Sequence, residues 1–186
     1  MPKATFHFPQ GFLWGSATSS HQVEGFNTNN DMWAWEQGEG NITNGDKSGR
    51  ACDWWGGRWR EDFDRAHETY QNAHRLSVEW SRIQPQPDRW DEQALDKYRD
   101  MLQGLRQRKM AAMLTLHHFS NPLWVAEIGG WENDGIVDLF AAYTRKCVEA
   151  LKSYCNLWVT INEPNVYALS AYLSGVFPPG KKDIKA

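Results

Sequence analysis

Leu157-Trp158-Val159-Thr160-Ile161-Asn162-Glu163-Pro164 decides how this chain is read. The apolar run 157–159 has the character of a buried strand. A glutamate stands where that strand should end, and the proline after it cannot continue a ladder. Carboxylates at the carboxyl ends of parallel strands are where barrel enzymes keep their chemistry. An amide beside a carboxyl suits work on sugars: the amide holds a hydroxyl while the carboxyl moves a proton to the glycosidic oxygen.

Upstream the same kind of unit recurs. Phe12 to Ser19 reads as a first strand ending in small polar residues, and residues 27 to 57 as a long loop rich in Asn, Gly, Asp and Trp. Loops of that length in compact domains are usually functional. Trp59, Phe63, Ala66 and Tyr70 recur at helical spacing. His74 to Trp80 is the second strand, and Pro85 and Pro87 halt regular structure behind it. Asp91 can cap a helix carrying Leu95, Tyr98, Leu102 and Leu105 on one face. Ala111 to His118 is the third strand. A third helix follows Asp134-Gly135, with Leu139, Tyr143, Cys147 and Leu151 aligned. Leu157 to Asn162 is the fourth strand.

Near-continuous apolar strands alternating with helices call for a parallel sheet covered by helices. No Gly-x-Gly-x-x-Gly turn follows the first strand, which argues against a doubly wound sheet. A TIM-type (β/α)8 barrel fits better, because every strand ends in polar or ionisable residues and one rim collects them. A closed barrel needs eight such units in roughly 250 residues. The 186 residues here supply four strands and three full helices. They are expected to form the N-terminal half of a single barrel domain over 1–186.

Composition narrows the function classes. The net charge of -3 favours neither nucleic acid nor an anionic membrane surface. No run reaches membrane-spanning length, and residues 1–8 hold no apolar core of signal-peptide length. Cys52, Cys147 and Cys155 lack close-pair spacing and read as free thiols, which makes a soluble cytoplasmic protein the expectation. Eleven tryptophans exceed ordinary core needs. Most are expected to pack; Trp124 and Trp131, after the third strand, are the two best placed to line a cleft mouth.

Four motifs in order resemble the family 1 glycoside hydrolases, the β-glucosidase and β-galactosidase family. They are Phe12-Leu13-Trp14-Gly15-Ser16-Ala17-Thr18 with Gln22-Val23-Glu24-Gly25, Arg75 to Ile83, Thr115 to Phe119, and Thr160 to Pro164. The resemblance implies retaining hydrolysis of β-glycosides without metal or organic cofactor. It implies that Glu163 is the acid/base, that Asn162 holds the sugar 2-hydroxyl, that Gln22 and His118 grip hydroxyls across the ring, and that Arg75 supports the nucleophile. The nucleophilic glutamate belongs to the family's second half-barrel and has no counterpart here. Two departures stand out. Phe119-Ser120 replaces the usual Trp-Asp, keeping an aromatic wall and losing the polar link. Asn165 follows Pro164 where many members carry tryptophan.

Each residue also has a plainer reading. Glu163 could cap a loop. Asn162 and Glu163 reach one rim only if the strand bends between them, because strict alternation sends them to opposite faces. For the same reason His117 and His118 cannot readily share a metal ion; one is expected at the rim and one under a helix. His21, His67 and His74 read as surface or satisfied histidines, Gln22 alone as a backbone partner, and Arg75 as one half of a structural ion pair. Three outcomes follow: half of a β-glycosidase that is inactive until its second half joins, a sugar-binding half-barrel, or a non-functional truncated product. Open strand edges lead us to expect pairing with a complementary C-terminal half, or self-association.

Overall fold

The computed structural model describes residues 7–183; the rest of the signal-peptide question, at residues 1–6, lies outside them. The elements run in order as β1 (Gly15–Ala17), α1 (Ser20–Val23), α2 (Asp31–Glu36), α3 (Trp59–Glu68), β2 (Ala73–Ser77), α4 (Trp80–Ile83), α5 (Glu92–Gln107), β3 (Ala111–His117), α6 (Leu123–Glu127), a 3-10 turn (Gly130–Glu132), α7 (Ile136–Leu151), β4 (Leu157–Ile161), α8 (Pro164–Ala168) and a π-helical turn (Leu169–Leu173).

The four strands form one parallel sheet in the order β1-β2-β3-β4. Each is joined to the next through a long helix, so α3, α5 and α7 cover one face. This is the β/α alternation expected from the sequence. In β3 the residues Ala112, Leu114 and Leu116 enter the buried cluster shared with α5 and α7. On α5 the stripe Leu95, Tyr98, Leu102 and Leu105 is fully buried, and Asp91 caps the helix by accepting from the Ala94 amide at 3.1 Å. Trp80 stacks on Tyr143 with ring centroids 4.9 Å apart, which fastens α4 to α7.

Three expectations change. The second strand stops at Ser77, and Trp80 opens α4 instead of ending the strand. The backbone amide of Glu79 leaves the ladder to donate to Tyr98 Oη at 2.9 Å. The long loop contains a helical segment, α2, whose cap Asn30 accepts from the Trp33 amide at 2.7 Å. Trp124 does not line a cleft mouth. It is 8% exposed, meets Trp80 edge-on, and donates to the Gln84 carbonyl at 2.9 Å. An indole that can satisfy its N–H inside the fold gains more from burial than from exposure.

Among the described residues β1 pairs only with β2, and β4 only with β3. Phe12, Leu13 and Trp14, just before β1, are each more than two-fifths exposed. No described helix is long and apolar enough to cross a membrane.

Gly104 shows how tightly α3 and α5 approach. A Cβ added there would lie 2.2 Å from Cζ3 of Trp59, which is itself buried. Gly→Ala inside a helix ordinarily gains about 1 kcal/mol, whereas overpacking a core costs about 1–3 kcal/mol. The steric term dominates because the ring has no solvent to move into. Gly104→Ala is therefore expected to lower the thermal midpoint; a rise would show that α3 can yield.

Candidate active site at the strand ends

The carboxyl ends of the strands meet at one rim. Arg75, on β2, reaches across the sheet: its Nε donates to Thr115 Oγ1 on β3 at 2.8 Å, and its Nη2 to Asn162 Oδ1 at 2.7 Å. Asn162 is buried and its backbone N–H donates to the His117 carbonyl at 2.9 Å. Three neighbouring strands are thus joined by one guanidinium. This differs from the ion pair that plainer reasoning gives an arginine at a strand start.

The chain bends immediately after Asn162. Glu163 has φ 42° and ψ 60°, in the left-handed region, and Pro164 begins α8. That region is costly for a residue with a side chain. Here it breaks the alternation that would otherwise carry Glu163 to the helix side. The Glu163 side chain is exposed, with no ion pair among the described residues.

Gln22 and His118 line a common cavity of about 430 Å³, together with Ser19, His21, Glu36 and Phe119. Gln22 Oε1 accepts from Ser19 Oγ at 2.8 Å. His118 Nδ1 is buried without a hydrogen-bond partner. Burial pushes the His118 pKa down to about 4, and the Arg75 charge adds to this while Glu79 opposes it. The ring is therefore neutral near pH 7, with one donor and one acceptor nitrogen, as hydroxyl recognition requires. His117 faces the other way, buried against Trp131, Phe140 and Tyr167. The two adjacent histidines divide as alternation demands. His67 is exposed, His74 is bonded to Ser16 and Thr18, and His21 is paired with Glu36 at 2.7 Å. The structure thus forms two groupings, Gln22 with His118 and Arg75 with Asn162. Glu163 borders the second and is not among the residues lining the cavity of the first.

A family model, glycosyl hydrolase family 1, matches residues 4–186. The chain belongs to that family. It is 36% identical to the 1,4-beta-D-glucan glucohydrolase of Thermotoga neapolitana, with 95% of this chain and 43% of the relative aligned. It is also 36% identical to beta-glucosidase A of Thermotoga maritima, covering 95% of this chain and 41% of that one. Among solved structures, beta-glucosidase from Thermotoga maritima in complex with methoxycarbonyl-substituted glucoimidazole superposes with a TM-score of 0.91 at 36% identity, over 95% of this chain and 42% of that chain. The beta-glycosidase from Pyrococcus horikoshii gives 0.87 at 38% identity, over 95% and 40%. The chain therefore spans about two-fifths of the length of the relatives it matches, and its four strands accord with half of a family 1 barrel.

Sequence reasoning missed what supports this rim. Three carboxylates are buried behind it. Glu24 pairs with Arg82 at 2.6 Å and accepts from Tyr98 Oη at 2.7 Å. Asp31 accepts from the backbone and side-chain amides of Asn121, both at 2.7 Å. Glu79 accepts from Ser20, Ser120, Asn27 and Ser81. The expectation that Ser120 leaves the rim without a polar link is thereby corrected. A hydroxyl one carbon from the backbone reaches inward to Glu79, where a longer acid would meet another anion. Asn121 also accepts from Trp131 Nε1 at 2.9 Å, so Trp131 packs at the rim with its N–H satisfied.

Burial raises the Asp31 carboxyl from 3.8 to about 7; the Asn121 bonds pull the other way and do not offset it. A carboxyl with a raised folded pKa contributes stability that is complete below its unfolded value and is lost as pH rises through the folded one. Wild type should therefore lose stability relative to Asp31→Asn between about pH 4 and about pH 7. Thermal melts of both proteins across that range check this. A difference in midpoint that does not change with pH overturns it.

Proposed function

We propose that this chain is the acid/base-bearing half of a retaining β-glycosidase of the β-glucosidase type, with Glu163 as acid/base. Asn162 holds the sugar 2-hydroxyl, and Gln22 and His118 hold hydroxyls across the ring. Arg75 fixes Asn162 and stands ready to support the nucleophile. One observation carries the reading. An exposed carboxylate sits in a left-handed bend at the end of β4, beside an amide that is buried and held by Arg75.

Retention requires a second carboxylate about 5–5.5 Å from the first. The nucleophile on this reading comes from the second half of the barrel, as the family resemblance implies; the buried carboxylates behind the rim are already engaged by serine, asparagine, tyrosine and arginine donors. On this reading Glu163 donates its proton to the glycosidic oxygen as the nucleophile attacks. It then takes a proton from water as the glycosyl-enzyme is hydrolysed. The complementary half would also cover the open edges of β1 and β4 and the exposed Phe12, Leu13 and Trp14. The lone chain would satisfy those edges by self-association. Free Cys52, Cys147 and Cys155 accord with a reducing, cytoplasmic setting.

A second reading, a half-barrel that binds sugars without cleaving them, draws on the cavity shared by Gln22 and His118, since that cavity forms without Glu163.

Hydrolysis of p-nitrophenyl β-D-glucopyranoside tests the proposal. The purified chain should be inactive alone and gain activity when mixed with the remaining part of a family 1 barrel. In the restored enzyme, Glu163→Gln should slow cleavage of an alkyl β-glucoside by about 10²–10⁴-fold. It should spare the first step with a 2,4-dinitrophenyl leaving group, which departs without a proton. Turnover at an enzyme-like rate by the lone chain, or equal losses on both substrates, would overturn the assignment.

A further inference from the structure

Glu79 is 2% exposed and takes no part in the chemistry above. Its side-chain partners among the described residues are three hydroxyls and one amide. Oε1 accepts from Ser20 Oγ at 2.8 Å and from Ser120 Oγ. Oε2 accepts from Asn27 Nδ2 at 2.8 Å and from Ser81 Oγ at 2.9 Å. These donors come from three separate segments of the rim: Ser20 and Asn27 follow β1, Ser81 follows β2, and Ser120 follows β3.

The placement of two donors matters most. Ser20 lies two residues before Gln22, on the single turn of α1. Ser120 lies two residues after His118, beyond Phe119, whose φ of 74° turns the chain at that point. A four-residue helix has no stability of its own, and a left-handed phenylalanine is held only by its surroundings. Both segments are therefore set by what they bond to, and both bond to the same carboxylate oxygen. Ser77, on β2, reinforces the first contact: its Oγ accepts from the Ser20 amide at 2.7 Å and donates to Ser20 Oγ at 2.9 Å. The backbone of Glu79 is itself anchored in the core through Tyr98 Oη.

We propose that Glu79 is a positioning residue that sets the spacing of Gln22 and His118 across the rim, by clamping the segments after β1 and β3 to β2 through its hydroxyl and amide donors. The clamp rests on reading Gln22 and His118 as the sugar-holding pair. It adds that their separation is determined by a side chain that touches no sugar. A buried carboxyl group suits this task because each of its oxygens accepts from two donors, so several loops can converge on one group. A glutamine in its place has one acceptor oxygen, and its NH2 confronts hydroxyls whose protons already point inward.

Backbone order in the free chain, measured by 15N relaxation, tests the clamp directly. In Glu79→Gln the amides of Ser20 to Gln22 and of His118 to Ser120 should fall from a rigid order parameter of about 0.85 to below about 0.6. Core amides such as Leu105 and Leu114 should keep their values; a purely structural role would loosen those as well. Unchanged order in both rim segments overturns the proposal, as does uniform loosening of the whole domain. If Glu79→Gln does not fold, Ser20→Ala and Ser120→Ala decide, since each removes one donor. Each should loosen only its own segment, and a segment that stays rigid overturns the clamp.

Titration with methyl β-D-glucopyranoside separates this from the functional reading. If the sugar fails to shift His118 resonances in wild type, the sugar-holding role falls and the order parameters still judge the clamp. If wild type binds, affinity in Glu79→Gln should be about tenfold weaker. Equal affinity in the two proteins overturns the positioning role.

Discussion

Three carboxylates buried behind one rim impose the constraint from which the local architecture follows. An ionisable group inside a fold needs donors, and where they do not offset burial its affinity for a proton rises. Arg82 is the cation paired with Glu24; Asp31 and Glu79 are met by amides and hydroxyls. Those donors have to come from somewhere, and they come from the segments that follow the strands. Asn27, Ser20, Ser81, Ser120 and Asn121 are turned inward by those bonds, and the loops are folded around the acids.

The lumen side of the sheet uses a different device. Arg75 lays one long guanidinium across β2, β3 and the end of β4. Its charge reaches His118 and helps keep that ring neutral. A single residue therefore holds an amide in place and adds its charge to the burial that keeps a neighbouring ring neutral. Replacing it with lysine would retain the charge and lose the fork that meets Thr115 and Asn162 together.

What could be read in the sequence was whatever repeats locally. The stripes on α5 and α7, the apolar run of β3 and the cap at Asp91 all lie within a few turns of chain, so their pattern declares them. The split between His117 and His118 was legible for the same reason. Elements such as α1 and α4 span four residues each and leave no period to detect. Glu79 reads as a strand-end carboxylate, and nothing near it in sequence reveals that Ser20 and Ser120 converge on it from opposite directions. Trp124 stayed open between a cleft mouth and loop packing because a loop tryptophan looks the same whether its indole N–H finds solvent or, as here, a carbonyl from forty residues away. The left-handed bend at Glu163 had no local signal beyond the proline.

Strand order in this sheet follows chain order without exception. Each new strand as it leaves the ribosome finds its only partner already in place, one unit upstream, and never has to displace an earlier pairing. Each pairing still closes a long loop, from Gly15 to Ala73, Ala73 to Ala111 and Met113 to Leu157, and parallel pairings of that reach form slowly. The segment can nonetheless acquire its order as a growing edge, onto which later strands are added one at a time.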